Sequence, residues 1–300
     1  MDTEQPAPGV PVCLAPGLRR ILAPNPSPMT YWGTNTYLLG TRDLAVIDPG
    51  PRSAPHLDAI LSAVRPGQSI SHILVTHSHL DHSPLATALA HHTGAQVHAF
   101  GPSCAGRSEI MTRLAATGLA DAGEGVQPDF EPDVCLDDGA RITGHDWSLT
   151  AHWTPGHLGN HMIFQWDKTV FCGDLVMGWA TSVIAPPDGD LTDFLTSCQR
   201  LRALDASVLH AGHGAPIEDP GSRITWLINH RQARESAILT VLQEGPATAQ
   251  ALARRIYTET PPALLPAAER NVLAHLIDLY GKSKVAPIDA LTAAARFECL

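Results

Sequence analysis

Three imidazoles and one carboxylate fall within six positions of the stretch Thr76-His77-Ser78-His79-Leu80-Asp81-His82. Neutral imidazole nitrogen and carboxylate oxygen are the donors that borderline divalent metals such as zinc prefer. Four such donors in one loop exceed what a single tetrahedral ion takes from it, so the spacing points to two ions. A polar, histidine-rich surface turn would carry the same residues. Against that reading, ligand-type residues recur downstream: His157 after Thr154-Pro155-Gly156, Asp174 after Cys172-Gly173, and His213 between Gly212 and Gly214.

Each of these follows an apolar run, which is the signature of a short buried strand. Ile73-Leu74-Val75 is the run before the histidine loop, and Ser83-Pro84 reads as an N-cap with Pro at the first helical position, opening a helix through Ala90. Leu44 to Ile47 is a further strand, ended by Asp48-Pro49-Gly50. Asp48 is either a group that holds the histidine loop from beneath or a turn or helix-capping aspartate. Strands are expected at 96–100, 147–153 and 206–209, and a hairpin at 162–172 around Asp167-Lys168. Helices are expected over 56–64 and over 191–204, the latter capped by Asp190. Residues 101–134 have little periodicity outside 110–119 and form either a lid or an ornamented connection. Four strand ends delivering metal ligands to one edge is the pattern a composite site needs.

The heptapeptide resembles the His-x-His-x-Asp-His signature of the metallo-β-lactamase superfamily, and the later motifs follow in that family's order. The resemblance implies an α/β fold, an αββα sandwich with two metals at one edge of the paired sheets. It further implies two Zn²⁺ per chain, one held by His77, His79 and His157, the other by Asp81, His82 and His213, with Asp174 bridging. Asp81 and Asp174 are then the expected catalytic carboxylates. The chemistry implied is hydrolysis by metal-bound hydroxide, because two cations depress the pKa of a shared water and polarise the bond attacked. Glycines 156, 173, 212 and 214 suit tight turns around such a centre. His161 and His210 are candidates for a substrate contact and an outer supporting role, though both also read as satisfied structural histidines. Asn35 and Asn160 are candidate substrate contacts. The remaining histidines at 72, 91, 92, 98, 145, 152, 230 and 275 read as structural or solvent-facing.

The chain has 300 residues, 44% apolar and 17% charged, the composition of a globular protein with a substantial core. No run of about 18 apolar residues exists, which argues against a membrane span. Six scattered cysteines without a Cys-x-x-Cys pair, and no signal-like N-terminus, make the cytoplasm the expected compartment. Residues 1–221 hold 11 basic against 23 acidic side chains, whereas residues 222–300 hold 9 against 7. An acidic surface of that kind repels a polyanion.

From Ser222 onward apolar residues fall at helical spacing over 224–242, 248–257 and 267–280, and Gly281-Lys282-Ser283-Lys284-Val285 reads as the turn into a small β-wing. Two domains are therefore expected, a hydrolase domain over 1–221 and a winged-helix-like domain over 222–300. Arg254, Arg255, Lys282 and Lys284 weigh for nucleic acid; the small net charge weighs equally for packing or dimerisation. Gly33-Thr34-Asn35-Thr36-Tyr37, His230-Arg231-x-x-Arg234-Glu235 and the helical tail are similar to one branch of the superfamily. Its animal members are zinc endoribonucleases acting on single-stranded RNA, and many bacterial members are described only as hydrolases or as hydroxyacylglutathione hydrolases. Ser78-His79-Leu80, Pro84-Leu85 and His210, where a tyrosine is common, depart from the animal pattern. The expected substrate is accordingly a small acyl ester or thioester, with single-stranded RNA as the alternative. β-Lactam hydrolysis, di-iron redox chemistry with a flavin domain, and metal binding without catalysis fit less well.

Overall fold

The computed structural model describes residues 5–119 and 125–300. Its first sheet has seven strands in sequential order: β1 (Val12–Ala15), β2 (Leu18–Leu22), β3 (Asn35–Leu39), β4 (Asp43–Ile47), β5 (Ser69–Leu74), β6 (Gln96–Ala99) and β7 (Val134–Cys135). The pairings are antiparallel from β1 to β4 and parallel from β4 to β7. Helices α1 (Ala54–Ser62) and α2 (Leu85–Thr93) are the crossovers that parallel pairing requires. A third helix, α3 (Glu109–Ala116), lies between β6 and β7 in the chain. The second sheet contains β8 (Arg141–Thr143), β9 (Ser148–Trp153), β10 (Met162–Trp166), β11 (Thr169–Gly173) and β12 (Val208–Ala211), with α4 (Leu191–Ala203) crossing between its last two strands.

Side chains alternate in direction along a strand, and the two sheets use that alternation to build three core layers. Tyr37, Leu39, Ala45 and Ile47 meet Leu149, Ala151, Met162, Phe164 and Phe171 between the sheets. The intervening Leu38, Leu44 and Val46 face outward onto Ile60, Leu85 and Leu89 of the crossover helices. On the far side, Ile163, Val170 and Cys172 pack against Phe194, Cys198 and Leu201 of α4. The order helix, sheet, sheet, helix is the αββα sandwich expected.

The tail comprises α5 (Pro220–Leu242), β13 (Ala247–Thr248), α6 (Ala249–Ile256), α7 (Leu265–Gly281), β14 (Val285–Pro287) and β15 (Arg296–Cys299). Its strands form a small antiparallel sheet in the order β13-β15-β14, the last two making the wing. The division expected at 221/222 falls in the first turn of α5. Ile224, Leu227 and Ile228 of this helix belong to the core outside the second sheet, and Ile238 and Leu242 to the core of the tail. Met111, Leu114 and Leu119 from the α3 region join that same tail core. Part of the stretch weighed as a lid, residues 120–124, lies outside the described residues.

Local expectations differ at one instructive point. Ser83 does not cap α2, whose first turn has no side-chain cap; its hydroxyl donates instead to the His79 carbonyl at 3.0 Å and to Gln127 Oε1 at 2.7 Å. The helix also runs past Ala90 to Thr93, where Gly94 ends it in the left-handed conformation. Asp190 caps α4 as expected, accepting from the Thr192 and Asp193 amides.

Candidate metal centre

Strands β9, β11 and β12 run in one direction, so His157, Asp174 and His213 emerge from the same edge of the second sheet. The loop carrying His77 to His82 leaves β5 at the facing edge of the first sheet, beside the end of β4 that carries Asp48. Seven side chains from four strand ends thus meet across the seam between the sheets. Three overlapping groups, His77/His79/His157, His77/His82/Asp174 and Asp81/His82/His213, have donor atoms within 4.8 Å of one another.

The first group is tight. His79 Nδ1 lies 2.9 Å from His77 Nε2 and 3.0 Å from His157 Nε2, so three ring nitrogens point at a common centre. In the last group His213 Nε2 lies 3.1 Å from Asp81 Oδ2 and 3.3 Å from His82 Nε2. Asp174 stands between the two: its Oδ2 is 3.7 Å from His157 Nε2 and 3.4 Å from His213 Nε2, while its Oδ1 is buried without a hydrogen-bond partner. That oxygen lies 3.5 Å from His82 Nε2, and a buried carboxylate oxygen without a hydrogen bond is costly unless positive charge satisfies it.

The outer nitrogens of these rings are held. His77 Nδ1 meets Thr76 Oγ1 at 2.9 Å, His157 Nδ1 donates to the Val183 carbonyl at 2.7 Å, and His213 Nδ1 donates to the Gly33 carbonyl at 3.1 Å. His82 Nδ1 lies 2.9 Å from Asp48 Oδ2. Fixing the outer nitrogen sets the tautomer and leaves the inner lone pair free to coordinate. The donor chemistry, N₃ on one side and N₂O on the other with a carboxylate between, fits two zinc-like ions.

The electrostatics divide in the same way. Burial pushes His77 and His157 down and takes His79 to about 3, so these rings are neutral at pH 7. Burial acts likewise on His213, but Asp174 and Asp81 outweigh it and raise that imidazole to about 9. Asp174 would be raised by burial, yet His213 and His82 hold it well below the ordinary carboxylate range. A cation held by His213 would have to displace that ring's proton.

Several residues weighed from the sequence have other tasks. Asp48 does hold the loop: it accepts from the Thr76 amide and hydroxyl as well as facing His82. His161 is wholly buried behind Asp174, accepting its backbone N–H at 3.2 Å, with its other nitrogen on Thr154 Oγ1. It is the satisfied structural histidine, not a substrate contact. His210 packs among Tyr37 and Phe171 between the sheets, and burial lowers it to about 4. Asn35 donates to the Ala211 and Gly214 carbonyls and so ties down the His213 loop. Asn160 donates to Ser78 Oγ and to the Gly101 and Pro102 carbonyls, stapling the histidine loop. Glycine is required at 212, where a Cβ would collide with Asp174 Oδ1 and the His82 ring, and at 173, where φ is +47°. Gly156 makes room for α4 at Phe194 instead of for the ligands.

A cleft of about 680 Å³ opens onto His79, Asp81, His157, Asp174 and His213. Its far wall is the tail, through Tyr257, Leu264, Leu273 and neighbouring residues, and its near rim carries Met29, Met177 and Trp179. Sequence reasoning found the donor-rich floor but missed this wall, because the histidine and aspartate motifs and the tail residues are far apart in the chain and share no local signal.

The chain is similar to known proteins over most of its length. Residues 29–213 match the model of the metallo-beta-lactamase superfamily, and residues 248–290 that of the beta-lactamase associated winged helix domain. A beta-lactamase-like protein 2 homolog of Drosophila melanogaster is 33% identical over 89% of this chain and 88% of its own. An atrochrysone carboxyl ACP thioesterase of Aspergillus fumigatus is 32% identical, covering 77% of this chain and 66% of its own. The crystal structure of a metallo-beta-lactamase family protein from Thermus thermophilus superposes with a TM-score of 0.77 at 27% identity, covering 96% of this chain and all of its own. With the fold, the strand-end donors and these likenesses agreeing over most of its length, the chain belongs to the metallo-β-lactamase superfamily of metal-dependent hydrolases.

Proposed function

We propose that this protein is a dinuclear zinc hydrolase acting on a small acyl ester or thioester, with residues 1–221 as the catalytic domain and residues 222–300 as its winged-helix-like partner. The observation that carries the reading is the convergence of two three-residue donor groups on either side of Asp174. His77, His79 and His157 would hold one ion, Asp81, His82 and His213 the other, and Asp174 would face both. Bound there, zinc supplies an activated water near neutral pH and polarises the bond under attack. The chain's own residues prepare this: Asp48 and Asn160 fix the histidine loop, Asn35 fixes the His213 loop, and the partly exposed Asp81 faces His213 at the cleft floor.

The cleft supports an acyl substrate. Met29, Met177, Trp179, Tyr257, Leu264 and Leu273 offer apolar surface, and among the described residues Arg270 is the only lysine or arginine on the walls. Likeness to a fungal acyl-carrier thioesterase points the same way. Single-stranded RNA is the second reading, favoured by the winged-helix tail. Apart from Arg270, the basic residues that weigh for it lie elsewhere: Arg255 pairs with Glu244, Lys282 with Asp278 and Glu235, and Lys284 with Glu235. Arg255, Lys282 and Lys284 do not line the cleft. A parallel screen of zinc-loaded protein on thioesters, lactones, phosphodiesters and RNA tests the choice. Thioester or ester turnover should exceed the rest, and efficient RNA cleavage with none on acyl substrates would overturn it.

A further inference from the structure

The segment Ser182-Val183-Ile184 lies between the ligand loops and the helices of the tail. The Val183 carbonyl accepts the Nδ1 proton of His157, and the Ser182 hydroxyl donates to the backbone carbonyls of Asp174 and Leu175. Two consecutive residues therefore orient one donor ring and anchor the backbone of the carboxylate between the two donor groups. From the other side the segment is gripped by the tail. Arg231 on α5 donates through Nη2 to the Ser182 carbonyl and through Nη1 to Asn271 Oδ1 at 2.9 Å. Asn271 on α7 uses the same oxygen to accept the Ile184 N–H at 3.1 Å, and its own amide donates to the Ala267 carbonyl.

Arg231 is 1% exposed, yet among the described residues no carboxylate pairs with it. Its neighbours are the two neutral acceptors and the Phe194 ring, 5.4 Å from its guanidinium carbon, and its Nε has no hydrogen-bond partner. Burying a guanidinium without a counter-charge is costly, and replacing buried charge with an apolar side chain of similar volume is often neutral or stabilising. What a methionine cannot do is reach two acceptors at a fixed spacing. The planar fork of arginine is suited to that.

We propose that Arg231 and Asn271 are positioning residues of the metal centre, setting the 182–184 segment and through it the His157 ring and the Asp174 backbone. The proposal rests on His157 and Asp174 being metal ligands. It makes the tail part of the centre's own geometry as well as a wall of the cleft, although neither residue offers a donor to a metal.

The full-length protein is titrated with Co²⁺, recording its ligand-field absorption and its affinity in competition with a chromophoric chelator. Wild type is compared with Asn271→Leu, Arg231→Met, Arg231→Lys and Asn271→Asp, with circular dichroism and melting of each metal-free protein alongside. Asn271→Leu and Arg231→Met should weaken one of the two cobalt sites by about tenfold and alter its absorption. Asn271→Asp, which keeps the shared acceptor, should restore both. Wild-type affinity and spectrum in folded Asn271→Leu or Arg231→Met would overturn the proposal. Should these two fail to fold, Arg231→Lys decides it: the charge is kept but the fork is lost, so an altered spectrum supports the proposal and an unaltered one overturns it. Failure of the wild type itself to bind cobalt would overturn the ligand assignment and this proposal with it, an outcome distinct from variants that bind like wild type.

Discussion

Asp48 Oδ2 lies 2.9 Å from His82 Nδ1, and the same carboxylate accepts the Thr76 amide at 2.7 Å and the Thr76 hydroxyl at 2.8 Å. One side chain at the end of β4 thus fixes both ends of the histidine loop. Replacing it with asparagine removes an acceptor that His82 and Thr76 share, so zinc affinity should fall by about 10–100-fold. Asp48→Ala also leaves the buried Thr76 amide unpaired and should lower stability by about 1–3 kcal/mol. Chelator competition and urea denaturation measure the two effects. Unchanged affinity in Asp48→Asn would leave Asp48 a simple turn residue.

Zinc reconstitution followed by metal analysis should give close to two ions per chain, since two donor groups flank Asp174. His77→Ala should lose metal and activity together, because a ring shared by two of the groups is removed. One ion or fewer per reconstituted wild-type chain would sink the two-ion reading.

Asp174→Asn should abolish turnover while the protein stays folded. An amide is a poor bridge between cations, whereas β11 beneath it is secured by Val170, Phe171 and Cys172 in two core layers. Near-normal turnover with two metals bound would remove Asp174 from its bridging role.

Stability should fall as the solution is acidified from about pH 6.5 to 4. Burial holds His56 and His210 at about 4 and His275 at about 3, so these rings stay neutral in the native state while the unfolded chain takes up protons. Each contributes a slope of up to about 1.4 kcal/mol per pH unit in that window. His275 is the sharpest case, since neither of its buried nitrogens has a hydrogen-bond partner. His275→Leu should raise the midpoint of urea denaturation at pH 5 more than at pH 8. An equal shift at both pH values would show that proton uptake by His275 is not responsible.

Charge reversal at Arg254, Arg255, Lys282 and Lys284 should leave acyl hydrolysis nearly unchanged, and that hydrolysis should respond weakly to salt. Phosphate binding behaves otherwise, weakening steeply as salt rises by a slope set by the number of contacts. RNA cleavage that collapses on added salt or on these reversals would install the endonuclease reading, provided zinc content and fold are intact in each variant.

The sequence made some of this legible and left the rest dark for physical reasons. His77, His79, Asp81 and His82 announce themselves because local spacing and donor chemistry are both visible in one loop. His157, Asp174 and His213 are visible because each follows an apolar run and sits beside glycine. Ser83 misled because a serine before Pro84 has the composition of a helix cap, and only the folded chain shows its hydroxyl turned to His79 and Gln127. Asn35, Asn160 and His161 were visible as polar residues near the motifs, but side-chain direction is decided by partners up to 179 positions away. Arg231 belongs to a recognisable run, His230-Arg231-x-x-Arg234-Glu235, yet nothing local reveals that it reaches Ser182.

Helix α5 continues unbroken from Pro220 to Leu242, with one end embedded outside the second sheet and the other in the core of the tail. A cut at Ser222 would strip Ile224, Leu227 and Ile228 from the sandwich, so the two halves should melt in a single calorimetric transition. The same helix ties the tail to the sandwich, so the wall that Tyr257, Leu264 and Leu273 give the cleft is anchored in the core outside the second sheet.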